Sequence, residues 1–363
     1  MTQPVIFFSE KFDPHASALE WVLRKSDVPT IVSADIMNIY PRLSIEVDSS
    51  HQLLRAGKKH TKELDARSIW FRRPQRPNLV NGYEPDREFM EKQWSIFQKN
   101  IFDLSCKISP ALWVNRPSSA AKAESKLVQL HAARELAIPF PETLVSNHSE
   151  DVASMIKSYG RVVHKVFHPH TWQTKKGDKC RSASVSILDE HSDLPDASIA
   201  MCPGIFQRYI VKSKDIRVTV IGKRMFAVAI SRAVGDPHVD PREHMNDSDV
   251  IMDLIDLPLV WENRIKCLMN RLGLIFGCVD LVVDRSGRIY FLEVNQAGQF
   301  LFIEDRLKRV PLLRSMAALL ISGRVDYELD VCRNLSLSDY DSSGEYQAAS
   351  NYNFSKLPNV SYE

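Results

Sequence analysis

Two apolar runs late in the chain are interrupted by acidic residues, Val279-Asp280-Leu281-Val282-Val283 and Tyr290-Phe291-Leu292-Glu293-Val294-Asn295. Asp284-Arg285-Ser286-Gly287 between them has the composition of a turn, so the runs read as an antiparallel hairpin. Side chains alternate along a strand, which places Glu293 and Asn295 on one face. A register with Val283 opposite Arg288 sets Asp280 opposite Phe291, on that same face. Diagonal neighbours across a hairpin lie ~7–8 Å apart, a gap that a hydrated divalent ion bridges. Asp280, Glu293 and Asn295 offer oxygen donors only, a set suited to a hard cation, magnesium or manganese, completed by water and phosphate oxygens. The competing reading has Asp280 facing solvent and Glu293 on a polar edge. An unpaired charge in so apolar a strand is costly, which favours the metal.

Cations with a similar claim lie upstream. Lys165 sits in Val162-Val163-His164-Lys165-Val166-Phe167, either as a surface alternate or as a buried cation that needs an anion. Arg217 follows Asp215-Ile216, and Arg232 ends the run Ala227-Val228-Ala229-Ile230-Ser231. Lys126 falls in a helical stretch, and Arg72-Arg73 close the strand Ser68-Ile69-Trp70-Phe71. Neither a Walker-type phosphate loop nor a G-x-G-x-x-G fingerprint is present, which removes the commonest competing nucleotide folds.

The elements that must position these groups follow from periodicity. Val5–Phe8, Thr30–Val32, Ser68–Arg72 and Trp113-Val114 read as strands alternating with helical stretches at Ala16–Lys25 and Glu84–Leu104, an α/β layer. One helix is predicted over Ala120–Leu136, then strands at Arg161–Phe167 and Ile205–Ile210. Gly222-Lys223 joins strands Ile216–Ile221 and Arg224–Ser231 as a two-residue hairpin turn. Trp261, Ile265, Leu268 and Leu272 form one apolar helix stripe, and a last apolar helix covers Leu312–Ile321. From Asp326 the chain turns polar without a period and reads as a poorly ordered tail.

Composition is that of a soluble enzyme, with 363 residues, 44% hydrophobic and 25% charged, enough for two or three domains. A net charge of +2 gives no reason to expect nucleic-acid or membrane binding. The N-terminus lacks the pattern of a signal peptide. Six scattered cysteines without a C-x-x-C pair suit reduced thiols, so a cytoplasmic location is expected.

In order along the chain, these residues resemble the ATP-grasp superfamily over about residues 115–322. Asp280 and Glu293-Val294-Asn295 look like its magnesium signature, D…E-x-N on a hairpin. The resemblance implies an α/β (α+β) chain with ATP held between two β-rich subdomains. An N-terminal pre-ATP-grasp domain would cover residues 1–116, the subdomains 117–206 and 207–325, and a flexible tail 326–363. It implies ATP and Mg2+ as cofactors, two ions expected, with Asp280, Glu293 and Asn295 as metal ligands. Lys126 and Lys165 would meet phosphates, and Gln207, Tyr209 and Ile210 would form the adenine hinge. Arg217 resembles the arginine of a D-x-R strand that meets the γ-phosphate or acyl phosphate, with Arg232 its partner cation.

Ile69-Trp70-Phe71-Arg72-Arg73-Pro74 further resembles the W-x-R-R-P segment of graspetide (microviridin-type) macrocyclase ligases. That resemblance implies a precursor-peptide partner bound through its leader, phosphorylation of Asp or Glu side chains, and ω-ester or ω-amide crosslinks. Arg72 and Arg73 would orient substrate carboxylates. A homodimer is among the oligomeric states left open. The chain departs from many ATP-grasp members at His168–Arg181, which has one glycine, Gly177, beside Lys175, Lys176, Lys179 and Arg181. Alternatives are a RimK- or glutathione-synthetase-like amino-acid ligase, a small-molecule kinase on the same fold, and a nucleotide-binding module without turnover. No histidine stands out as a general base; His164, His168, His170 and His238 are candidates.

Overall fold

The computed structural model describes residues 3–10, 13–36, 43–47, 49, 52–56, 59–61, 66–75, 77, 84–108, 110–167, 170–173, 180–183, 185–193, 195–232 and 249–347. The N-terminal part is a parallel sheet of β1 (Val5–Phe8), β2 (Thr30–Ser33), β6 (Ser68–Phe71) and β7 (Leu112–Val114), in the order β2-β1-β6-β7. All four residues of β1 are buried, as expected of an unbroken apolar run in a sheet covered on both faces. Helix α1 (Pro14–Lys25) lies on one face, its Asp13 side chain accepting the His15 and Ala16 N–H groups at 3.0 Å. Pro14 at the first helical position and an aspartate before it make that helix start locally favourable. Helix α2 (Arg87–Ile108) covers the other face, where Ile101 and Phe102 meet Ile6, Phe8, Ile69 and Trp113. A meander of β3 (Leu43–Val47), β4 (Gln52–Ala56) and β5 (Lys59–Thr61), not foreseen in the sequence, interrupts this unit.

The single helix predicted over Ala120–Leu136 is two helices, α3 (Pro117–Glu124) and α4 (Lys126–Glu135). Ser125 breaks them apart with an extended backbone (ψ 110°), and its hydroxyl accepts the Val128 N–H at 3.4 Å. Serine competes well for backbone N–H groups at a cap, and periodicity alone does not see that choice. An antiparallel sheet follows, in the order β12-β9-β13-β8, from β8 (Thr143–Ser146), β9 (Val162–Lys165), β12 (Ser186–Leu188) and β13 (Gly204–Arg208). Helix α5 (Ser149–Tyr159) packs Val152, Met155 and Ile156 on it. β10 (His170–Gln173) pairs with β11 (Cys180–Ala183), and a short α6 (Asp196–Met201) precedes β13.

The largest sheet is antiparallel, β14 (Lys212–Ile221), β15 (Arg224–Arg232), β16 (Val250–Ile255), β17 (Phe276–Asp284) and β18 (Ile289–Asn295), in the order β16-β15-β14-β17-β18. β14 and β15 close as foreseen, with Ile221 opposite Arg224 and Gly222 at φ +60°. One face, with Ile216, Val218, Val279, Leu281 and Val294, packs on α7 (Leu259–Leu272) and α4. Ile221, Val228, Ile230 and Cys278 on the other face join a cluster containing α1, Trp70, α8 (Leu301–Leu307) and α9 (Leu312–Ser322). The N-terminal unit and the large sheet thus share one core.

The segment after Asp326 differs from the poorly ordered tail expected. Tyr327, Cys332, Leu337 and Tyr340 are buried in that shared core, and α10 (Leu337–Asp341) starts with a Ser336–Asp339 capping box. Glu304, 2% exposed, accepts the Leu313 N–H at 2.7 Å and the Leu337 N–H at 2.9 Å, joining α9 and α10. A few apolar anchors spaced without a period order a polar segment when a groove already exists for them. Residues 348–363 lie outside the described residues. Among the described residues no helix is long and apolar enough to cross a membrane.

Candidate functional site

Three strands of the large sheet place Arg217, Asp280 and Glu293 in one row: Arg217 on β14 pairs with Asp280 on β17, which pairs with Glu293 on β18. The hairpin register differs from the expectation. Val283 faces Ile289, not Arg288, and continued unchanged this register would set Asp280 against Leu292, turned away from Glu293. A bulge between Asp280 and Leu281 restores the face, so that Asp280 meets Glu293 directly and Cys278 meets Asn295. One extra residue in β18 moves every later side chain across the sheet, which is what the site requires.

The row is closely bonded. Arg217 Nη1 donates to Asp280 Oδ1 at 2.6 Å and Oδ2 at 2.8 Å. Asn295 Nδ2 donates to Glu293 Oε1 at 3.0 Å and Asp280 Oδ2 at 3.3 Å. Lys126, first residue of α4, forms an ion pair with Glu293. Two cations and two carboxylates balance, which permits such charge on a half-buried sheet face. Burial pushes the Arg217 guanidinium downward, but Asp280 and Glu293 more than reverse this and hold it above its ordinary value.

The surroundings fix the row. Gln129, one helical turn after Lys126, donates to Val294 O at 2.9 Å and accepts the Val294 N–H at 2.8 Å, pairing with the open edge of β18. That contact sets α4 where Lys126 meets Glu293. Asn115, just after β7, accepts from Ile275 and Phe276 N–H at 2.8 and 3.0 Å and donates to Phe276 O and Gln296 O. The Gln296–Gln299 loop then folds over Arg217, whose Nη2 donates to Gln299 O at 3.0 Å. Gly298 permits this approach, since a Cβ there would sit 2.7 Å from Cys278 Sγ and 3.1 Å from Arg217 Nη2. Beside the row, Ile210, Val282 and Tyr290 form a small apolar cluster with Leu292 against it. The elements thus bring charged groups and an apolar wall together on one face of the large sheet.

No family model and no curated protein matches this sequence. Solved structures do match the fold. A RiPP-associated ATP-grasp ligase of Chryseobacterium gregarium, in complex with ADP and a leader and core peptide, superposes with TM-score 0.72 at 20% identity, covering 88% of this chain and 96% of that one. Macrocyclase MdnC from Microcystis aeruginosa MRC, bound with precursor peptide MdnA, gives 0.68 at 19% identity, covering 88% and 99%. Macrocyclase MdnB from the same organism gives 0.67 at 22%, with the same coverage. The chain has the ATP-grasp fold.

Within this fold, the residues foreseen from the sequence fall into two groups. Asp280, Glu293, Asn295, Arg217 and Lys126 are in mutual contact, as above. Lys165 Nζ donates to Gln207 Oε1 at 2.9 Å, and Gln207 Nε2 donates to Thr143 Oγ1 at 3.0 Å, a chain across the central sheet. Ile210 belongs to the apolar wall, whereas the Tyr209 ring lies 4.5 Å from the Arg161 guanidinium and its N–H is given to Arg161 O. The Tyr209 N–H is therefore already engaged within the chain.

Arg232 and Arg72 stand apart from their expected places. Arg232 Nε donates to Asp249 at 2.6 Å, and it lies four residues along β15 from Val228, the partner of Arg217, roughly 13 Å at strand rise. Arg72 is 2% exposed and donates to both Asp13 oxygens at 3.0 and 3.1 Å, with Nη1 on Ala297 O at 3.2 Å. Its carboxylate is thus supplied by the chain itself, while Arg73, the next residue, is exposed. His164 lies against Phe206 with its pKa lowered by burial; His168 and His238 lie outside the described residues. Sequence reasoning missed Asp13, His15, Gln129 and the apolar residues Val282 and Leu292. Only Asp13-Pro14, a helix-start signature, was detectable in advance.

Proposed function

We propose that this chain is an ATP- and Mg2+-dependent carboxylate ligase that phosphorylates Asp or Glu side chains of a precursor peptide and closes ω-ester or ω-amide crosslinks. The observation that carries this reading is the row Arg217–Asp280–Glu293 with Asn295 and Lys126, next to the Ile210–Val282–Tyr290–Leu292 wall. Two carboxylates and a carboxamide that can turn its oxygen inward fit a hard divalent cation. Asp280, Glu293 and Asn295 would hold Mg2+, which when bound neutralises phosphate charge. The apolar wall suits an adenine ring, with Lys126, Lys165 and Arg217 toward the phosphates. Arg217 has a further reason to bind an anion: its buried Nε lacks a hydrogen-bond partner.

In the reaction so read, a substrate carboxylate oxygen attacks the γ-phosphorus and ADP leaves. A hydroxyl or amine then attacks the acyl carbon, phosphate leaves, and the nucleophile's proton passes to solvent or phosphate. Arg217 is placed to stabilise charge on the transferring group, the largest lever available in such chemistry. Of the three solved structures described above, at 19–22% identity, two were determined with precursor, leader or core peptides, which favours a peptide over a free amino acid.

Mass spectrometry of a candidate precursor incubated with enzyme, ATP and Mg2+ tests this. A loss of about 18 Da per crosslink with ADP formed is expected, since each closure formally expels water. Gain of a phosphoryl group would replace the proposal with a kinase, and gain of an amino-acid residue with a RimK-like ligase.

A further inference from the structure

The Gln299–Phe300 peptide unit is gripped from both sides. Its carbonyl accepts from Arg217 Nη2 at 3.0 Å, and its N–H donates to His15 Nε2 at 3.0 Å. His15 Nε2 also accepts the Leu301 N–H at 3.3 Å, and its ring packs edge-on against Phe300 at 4.8 Å. The imidazole is 6% exposed and sits in the first turn of α1, in the N-terminal unit, far in sequence from the Asp280 row. Asp13 caps that same turn and holds Arg72, which donates to the Ala297 carbonyl two residues before Gln299. Nothing in the candidate site as described needs this histidine for a ligand. Its geometry nonetheless sets the orientation of the group that orients Arg217.

We propose that His15 is a positioning residue for Arg217, acting through the Gln299–Phe300 peptide plane. A neutral imidazole with an unprotonated Nε2 accepts the two N–H groups, and the plane then presents its carbonyl to Arg217. Hydrogen bonds on both ends of one peptide unit polarise each other, so that loss of one weakens the other. Without His15 the plane loses its N–H anchor, and among the described residues only the weak Cys278 S–H contact to Gln299 O at 3.7 Å still restrains it beside Arg217. The charged groups facing His15 are Arg72, Arg73 and Arg217. With burial, all three disfavour its protonation, consistent with an acceptor that must stay neutral. The inference rests on the proposed role of Arg217 at the γ-phosphate.

The test compares binding of Mg–ADP and Mg–AMPPNP to the full chain and to His15→Ala and His15→Gln by calorimetry, with thermal melting alongside. Only the triphosphate analogue reaches a cation directed at the γ-position. His15→Ala is expected to weaken Mg–AMPPNP about tenfold, roughly one hydrogen bond's worth, and Mg–ADP less than about twofold. His15→Gln, whose amide oxygen can accept one of the N–H groups, should recover part of the loss. Equal weakening of both nucleotides with a lowered melting point would reduce His15 to a structural residue and overturn the proposal, as would no change in either. If the unaltered chain binds neither nucleotide, the ligase reading and the role at Arg217 fall together. Hydrogen exchange at Phe300 and Leu301 separates the cases, since unchanged protection in His15→Ala would remove the anchor itself.

Discussion

Arg72 distinguishes a substrate ligand from an internal brace, and Arg72→Leu measures which it is. The Arg72 and Asp13 side chains are 1% and 8% exposed. Deleting one partner of a buried pair typically costs ~3–5 kcal/mol, because the remaining charge stays buried. Asp13 would keep two N–H donors, from His15 and Ala16, which places the cost near the lower end, about 3 kcal/mol. The donor to Ala297 O and the guanidinium 5.1 Å from the Trp70 ring are lost as well, so the cost should not fall below that. At ~2–4 °C per kcal/mol for a unit of 150–250 residues, the melting midpoint should drop by ~6–12 °C. Asp13→Asn in the same background removes the stranded charge, so the double variant should melt higher than additivity predicts, with a coupling of at least ~1 kcal/mol. Arg24→Ala, which breaks an ion pair whose side chains are 55% and 51% exposed, serves as the control at under ~1 kcal/mol. Circular dichroism melts and urea midpoints read all four variants. An Arg72→Leu midpoint within 2 °C of the unaltered chain, about half a kcal/mol, would refute the brace and return Arg72 to the substrate role expected from sequence.

Three further outcomes are expected. Glu293→Gln and Asp280→Asn should each abolish Mg2+-dependent ATP consumption while the far-ultraviolet dichroism stays unchanged; unaltered turnover would sink the metal assignment. Burial, then Arg72, Arg73 and Arg217, hold the His15 pKa well below its ordinary value of 6.5, so its contribution to stability is present above that value and lost as pH falls through the folded-state pKa. Melting points measured below pH 6.5 should therefore decline more steeply for the unaltered chain than for His15→Gln, and parallel profiles would contradict this. Tyr340→Ala should cost ~3 kcal/mol, as for a buried aromatic ring, here one packed 5.6 Å from Trp21; a urea midpoint unchanged from the parent would mean that α10 adds nothing to the core.

The sequence alone determined those elements that have a clear local pattern, and the residue types they carry. Strand β1, the Gly222-Lys223 turn, the stripe of α7 and the carboxylates of β17 and β18 are written in local patterns of apolar and polar residues, which neighbouring residues impose on each other. The set Asp280, Glu293 and Asn295 could be named before any contact was known, because alternation on a strand is a local rule. Tertiary structure decided which partners those groups have. The bulge that turns Asp280 toward Glu293 leaves no mark in spacing, since an extra strand residue looks like any other. Gln129 on the edge of β18 and His15 on the Phe300 amide depend on groups distant in sequence, and so does the fate of Arg72, which a substrate carboxylate and Asp13 would satisfy equally well. Side-chain type states what a residue can bond. Which bond it makes depends on what the fold carries within reach, and that is a property of the whole chain.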